Sequence, residues 1–277
     1  MNFSVLIPVY AKESPENFFQ ALNSIIKQTL KPSEIVIVKD GPITSELDNI
    51  IEFFVKSYRN LFKIVSLEKN MGLGIALNLG VLNCSNEIIA RMDSDDIASP
   101  FRFERQISFL EENKDIDIVG SWIGEFVNNP SKIISIREVP QYHQDILKFA
   151  KFRNPMNHMT VIFRKKAVLD AGNYQHFISF EDYYLWCRML INGAKFANIP
   201  EVLVFVRRDK NFIKRRSGLV YFKQEIEFQK KMYDIGFISI FEFVRNIILR
   251  GYIRLFPSFL LESLYKTILR EDKIDIF

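Results

Sequence analysis

Three aspartates crowd into four residues at Asp93, Asp95 and Asp96, with Ser94 among them, at the end of the apolar run "EIIARMD". In extended chain, residues two apart point to the same side, so Asp93 and Asp95 can aim two carboxylates at one point. Carboxylates this close repel one another unless a cation neutralises them. Oxygen-only ligands suit Mg²⁺ or Mn²⁺, ions that also bind phosphates. Aspartate is equally favoured in turns and helix N-caps, so a purely structural turn is the alternative.

A second acidic pair, Glu181 and Asp182, opens "EDYYLWCRML", whose Leu185, Trp186, Met189 and Leu190 lie at helical spacing. Acids at a helix start suit the macrodipole. One of them is also a candidate general base, which the helix N-terminus should help keep ionised. Gly72 and Gly74 stand between a strand and a helix, where backbone can approach a ligand closely or simply pack tightly. Asp40 and Gly41 end another strand, as a ribose- or base-binding acid or as an ordinary Asp-Gly turn.

The elements that must position these residues alternate. Strands are predicted at Ser4 to Tyr10, Glu34 to Asp40, Phe62 to Glu68 and Glu87 to Asp93, with amphipathic helices between them; Pro15 suits the first turn of the first helix. This alternation predicts a mainly parallel, twisted α/β sheet with helices on both faces, binding ligands at the carboxyl ends of its strands. The second half is less regular. Its candidate strands are Ile116 to Gly120, Ile133 to Glu138, Thr160 to Arg164 and Val202 to Arg207, and the pattern turns helical after Ser217.

Nearly half of the 277 residues are apolar, which supports a sizeable core, and the 26 Phe exceed what such a core needs. Cys84 and Cys187 form no CxxC pair, so neither a disulfide framework nor a zinc site is expected and a reducing compartment fits. The first residues lack a basic region and their apolar run ends at Pro8, so no signal peptide is expected. No stretch reaches the roughly 18 apolar residues of a membrane span. The formal charge is +4, yet Arg207 to Phe277 holds 15 Lys and Arg against 9 Asp and Glu, a net of +6, while the remainder nets −2.

Taken in order, "VLIPVY", "IVKDG", "NMGLGIALNLG", "ARMDSDDI" and "FEDYYLWCRM" resemble the family 2 glycosyltransferases with a GT-A fold, over roughly residues 3 to 210. "NPMNHMTVIFRK" (Asn154 to Lys165) resembles the branch that makes bacterial surface polysaccharides, such as the amylovoran-type transferases. The resemblance implies a GT-A catalytic domain over 1–216 and a helical extension over 217–277. It implies a UDP-sugar donor, with Pro8, Val9, Tyr10 and Asp40 at the base and Gly72, Arg91, Asp93 and Ser94 among the donor-binding residues. Asp93 and Asp95 match the DxD motif that holds the divalent metal. Asp182 matches the catalytic base, with Glu181 beside it at the acceptor site. The implied reaction is an inverting displacement on a hexose donor. Its acceptor would be a saccharide hydroxyl, lipid-linked, met on the cytoplasmic side of the membrane. Lys39 stands where many relatives have an acid, and the Q-x-x-R-W motif of processive synthases is absent, so single additions are expected.

Three further readings concern less typical residues. His158 either shapes the acceptor site, reaches the metal, or is a structural histidine. The basic run Arg207, Arg208, Lys210, Lys214, Arg215 and Arg216 is a lid over the donor diphosphate or a solvated loop. From Gly236 to Arg270 the chain is apolar around a stripe of Glu242, Asn246, Arg250 and Arg254, broken by Pro257. That pattern favours a helix lying in a membrane interface as a peripheral anchor; the alternative is packing on the catalytic domain or on a second subunit.

The rival functions fit less well. A dehalogenase-type phosphatase usually has D-x-D-x-[TV] near its start, but here Ile97 is followed by Ala98. A non-catalytic nucleotide-sugar-binding module does not require Asp182. Nucleic acid would be repelled by the acidic strand ends.

Overall fold

The computed structural model describes residues 1–208 and 218–255. Lys210, Lys214, Arg215, Arg216, Pro257 and the expected boundary between 216 and 217 lie outside the described residues.

Four parallel strands, β1 (Phe3–Val9), β2 (Glu34–Lys39), β3 (Phe62–Ser66) and β4 (Ile88–Arg91), form one half of the sheet in the order β3-β2-β1-β4. Helices α1 (Pro15–Ile26), α2 (Ser45–Ser57) and α3 (Leu73–Asn83) connect them. Pro15 stands in the first turn of α1, and the Ser14 hydroxyl caps that helix by accepting from the Asn17 amide. β1 is buried along its whole length, which explains its unbroken apolar run. Its side chains alternate between two cores. Val5 and Ile7 join the core that packs Phe18, Leu22, Leu47 and Phe54, and Leu6 joins the core of the opposite face with Ala76 and Leu77.

The second half departs from the parallel pattern. It holds β5 (Ile97–Ala98), β6 (Ile118–Phe126), β7 (Ser135–Arg137), β8 (Ile162–Arg164) and β9 (Phe196–Arg207). The sheet continues β4-β8-β6-β9-β5, with β7 added to β6. β8 runs antiparallel to both β4 and β6, whereas β6 and β9 are parallel. The whole is therefore a mixed, GT-A-like sheet, because apolar runs report burial and not strand direction. β6 is longer than its predicted span, and β9 begins at Phe196 rather than Val202. The register between them shifts around Trp122, opposite Pro200 and Glu201, and such a bulge tolerates a proline inside a strand. Thr160 ends a 3₁₀ turn (His158–Thr160) instead of starting a strand.

Three helices escaped the sequence pattern: α4 (Arg102–Glu112), α5 (His143–Phe149) and α6 (Lys165–Asp170). α4 buries Arg102 and Gln106 beside Phe103, Ile107 and Leu110, so its inward face is half polar and obscures the apolar period. The chain continues through α7 (Glu181–Ile191), α8 (Leu219–Asp234) and α9 (Ile240–Leu255). Phe228 of α8 stacks on Phe180 at 4.6 Å and packs on Tyr183 at 4.7 Å, so the C-terminal helices share a core with the sheet. Both cysteines are buried and free. Among the described residues, no helix is long and apolar enough to cross a membrane.

α3 starts against the segment that leads into α7. A Cβ on Gly74 would lie 2.5 Å from the Gln175 carbonyl oxygen and 3.3 Å from the Glu181 Cβ. Gly→Ala in a helix ordinarily stabilises by up to about 1 kcal/mol. Here the sign reverses, and Gly74→Ala should lower stability by about 1–3 kcal/mol through overpacking. Thermal or denaturant unfolding of the purified variant checks this.

Candidate active site

The carboxyl ends of β1, β2 and β4 open onto one edge of the sheet. The strand β4 ends at Arg91, two residues earlier than its predicted limit. Asp93, Asp95 and Asp96 therefore converge through a turn and not through strand alternation. Their carboxylate oxygens come within 4.8 Å of one another, and Asp96 is part of the group. Burial and then the repulsion of Asp93 and Glu13 push Asp95 up to about 7. Burial, Asp95 and Asp93 push Asp96 well above the usual carboxylate range. A hard-oxygen set of this kind fits a divalent Mg²⁺ or Mn²⁺.

The turn is braced from several sides. Arg91 is 1% exposed, and its Nη2 lies 2.5 Å from Asp93 Oδ1. Ser94 donates its hydroxyl to Glu13 at 2.6 Å, which brings the loop after β1 onto the turn. At the end of β9, the Arg207 amide donates to Asp96 and its Nε donates to the Asp95 carbonyl at 2.9 Å. Arg207 thus acts as a brace, and Arg208 lies 3.9 Å from Glu125. Beneath the turn, Arg102 is fully buried and donates to the Arg91 carbonyl at 2.7 Å and to Gln106 at 3.1 Å. Burial lowers the Arg102 pKa to about 9.

Asp40 is buried at the end of β2. Its two carboxylate oxygens accept from the amides of Met71 and Gly72 at 2.7 and 3.1 Å. Gly72 has φ of 88° and begins α3, and Gly41 has φ of 85° with Asn70 so close that a Cβ would lie 2.5 Å from its amide nitrogen. The Asp-Gly pair thus clamps the loop before α3, and is more than a turn. Lys39 pairs with Asp48 at 2.6 Å. Pro8 and Val9 are buried, while Tyr10 is 42% exposed at the rim.

Asp182 and Glu181 begin α7. Burial pushes Glu181 up to about 7, aided by Asp182. Burial also raises Asp182, more than its hydrogen bonds and neighbouring arginines lower it. The helix start favours the ionised form, while desolvation at this depth works against it. Asn154 donates to Asp182 Oδ2 at 2.7 Å. His158 lies on this side as well, with Nδ1 4.0 Å from the same oxygen and Nε2 2.9 Å from the Tyr174 hydroxyl. Its ring packs edge-on to Trp186, and burial drives its pKa well down, which favours the neutral ring. It is not among the residues whose oxygens or nitrogens gather at the acidic turn. Burial pulls the Arg91 pKa down, but Asp93, Tyr174 and Asp182 together raise it.

Residues 4–171 match the family model described as Glycosyl transferase family 2. The chain is a family 2 glycosyltransferase. The UDP-Gal:alpha-D-GlcNAc-diphosphoundecaprenol beta-1,3-galactosyltransferase of Escherichia coli is 42% identical to this glycosyltransferase over 268 residues, 97% of this chain and 96% of that one. The amylovoran biosynthesis glycosyltransferase AmsE of Erwinia amylovora is 39% identical over 266 residues, 95% of this chain and 98% of that one. Among solved structures, S. aureus TarS 1-349 in complex with UDP-GlcNAc has a TM-score of 0.67 at 19% identity, covering 91% of this chain and 73% of that one. The mannosyltransferase PcManGT from Pyrobaculum calidifontis, solved with GDP-Man and Mn²⁺, has a TM-score of 0.64 at 13% identity, covering 91% and 69%. The fold of the glycosyltransferase is thus GT-A.

Glu13, Asn154 and Arg102 were not singled out as site residues in the sequence. Asn154 sits in a quoted family segment, but nothing in its spacing points to Asp182, 28 residues away. Its amide stabilises the ionised form of Asp182. Asn154→Ala should therefore raise the Asp182 pKa further and move the acidic limb of the pH–rate profile to higher pH. At neutral pH, transfer should fall about tenfold or more. Rates measured across the pH range for both proteins check this.

Proposed function

We propose that this glycosyltransferase inverts configuration as it moves a hexose from a UDP-sugar to a hydroxyl of a lipid-linked saccharide, one addition per encounter, in surface polysaccharide synthesis. The observation that carries the reading is Asp182. It is a sequestered carboxylate in the first turn of α7, held by Asn154 at 2.7 Å. The names of the two sequence relatives and the nucleotide bound to TarS support the donor and acceptor classes.

In this mechanism Asp182 takes the proton of the acceptor hydroxyl, and the acceptor oxygen forms its bond to the anomeric carbon from the opposite face. The bond from that carbon to the donor phosphate breaks, and its electron pair leaves with UDP. Asp93 and Asp95 would hold a divalent cation, which when bound supplies positive charge for the departing diphosphate. Arg91 fixes Asp93, while Ser94 and Arg207 keep the turn in shape. Tyr10 and Asp40 stand at the donor-base end, Asp40 acting through the loop that it clamps. Glu181 lies at the acceptor side, and His158, bonded to the Tyr174 hydroxyl, supports the Asp182 region.

Calorimetry against a panel of nucleotide sugars, with Mn²⁺ and then with EDTA, should show metal-dependent binding of a UDP-sugar. Asp95→Ala should weaken that binding. Asp182→Asn should retain it and lose transfer by about 10²–10⁴-fold. Intact transfer by Asp182→Asn would remove Asp182 as the base.

A further inference from the structure

The helix α9 is turned the unexpected way round. Its polar stripe faces the enzyme. Asn246 is 2% exposed and donates to the Lys151 carbonyl at 2.8 Å and to the Gln229 side chain at 2.9 Å. Arg250 pairs at 2.9 Å with Glu225, itself fully buried on α8. Glu242 pairs with Lys151 at 3.1 Å and accepts from the Ser239 amide at 2.7 Å. With the polar groups engaged inward, the apolar face is left outward. Phe241 is 84% exposed, and Val244, Ile248 and Leu249 are about half exposed or more (47, 64 and 57%). A cluster of large apolar groups of this kind marks an interaction surface.

The charge on this face has one sign. Arg245 is exposed beside the apolar residues, with its guanidinium donating to Asn246 Oδ1 at 3.0 Å and lying over the Phe152 ring. Glu242 is the helix's one acid, set against three arginines in Ile240–Leu255, and it is turned to Lys151. An apolar face with a cation and no outward carboxylate complements an anionic lipid surface. Position argues the same way. α9 is pinned to the Lys151 carbonyl, three residues before Asn154, which holds Asp182.

We propose that the outward face of α9 docks on an anionic bilayer, with Phe241, Val244, Ile248 and Leu249 entering the acyl boundary and Arg245 at the headgroups. The docked enzyme presents the Asp182 side of the site to acceptors carried by the same leaflet; this last clause rests on the lipid-linked acceptor proposed above. The polar stripe is thereby the internal fastening of the anchor, not its solvent face.

Flotation of the full chain with phosphatidylcholine vesicles, with and without phosphatidylglycerol, tests the surface. The chain should float with the anionic vesicles and be released by salt. A Phe241→Ser/Ile248→Ser variant should partition at least about tenfold less. Because both side chains are exposed, its thermal unfolding and its UDP-sugar binding should match the parent. Failure of the parent to float, or equal flotation by the variant, would overturn the proposal. So would a parent dimer in analytical ultracentrifugation that the variant abolishes, since a second copy would then cover the face. Nucleotide-sugar binding is measured on the same preparations. Flotation without it would leave the docking surface standing and remove the transferase donor, whereas binding without flotation would do the reverse.

Discussion

Carboxylate repulsion is the constraint around which this molecule is arranged. Asp93, Asp95 and Asp96 are drawn together at one end of the sheet, Glu13 adds a fourth carboxyl group, and Glu181 and Asp182 form a second acidic pair at the start of α7. Burial makes the charges of Asp95, Asp96, Glu181 and Asp182 harder to keep. The fold answers with guanidinium groups, of which Arg91 and Arg102 are fully buried. Arg91 contacts Asp93, Arg207 ties down the turn, and Arg102 is buried behind it.

The sheet's change of direction serves the same end. An antiparallel β8 beside β4 brings the segment of Asn154 and His158 next to the strand that carries the acidic turn. The return of β9 along β6, with its bulge near Pro200, delivers Arg207 to Asp95 and Asp96. The parallel half thus supplies the loops of Asp40 and Glu13, and the mixed half supplies Asn154 and Arg207. The helical hairpin α8–α9 extends the Asp182 side: Asn246 and Arg250, the latter paired with buried Glu225, donate to the carbonyls of residues 151 and 152, just ahead of Asn154.

Much of this was legible in the residues themselves. The unbroken apolar runs of β1, β2 and β4, the period of α1 and α2, and the acids at the ends of β4 and at the start of α7 all have local physical causes. Burial on both faces demands continuous apolar strands, and 3.6-residue spacing marks a helix packed on one side. The GT-A family likeness was carried by these same segments. α4 was not legible, because Arg102 and Gln106 interrupt its apolar stripe with groups that become satisfied only against Arg91, Val119 and Thr160. The direction of β8 was equally hidden, since a short apolar run is the same in either orientation.

The sequence by itself determined which residues are acidic, which runs are apolar and where α1 and α7 start, because those depend on neighbours in the chain. The tertiary structure alone decided three further matters. It set the electrostatic state of Asp182 and Asp95, because desolvation and charge repulsion depend on depth and on distant partners. It gave Asp40 and Arg207 their work as clamps on loops. It also chose the face of α9 that meets the enzyme, since a helical stripe of Glu242, Asn246 and Arg250 is compatible with water, lipid headgroups or a buried partner until Glu225, Gln229 and the Lys151 carbonyl are placed against it.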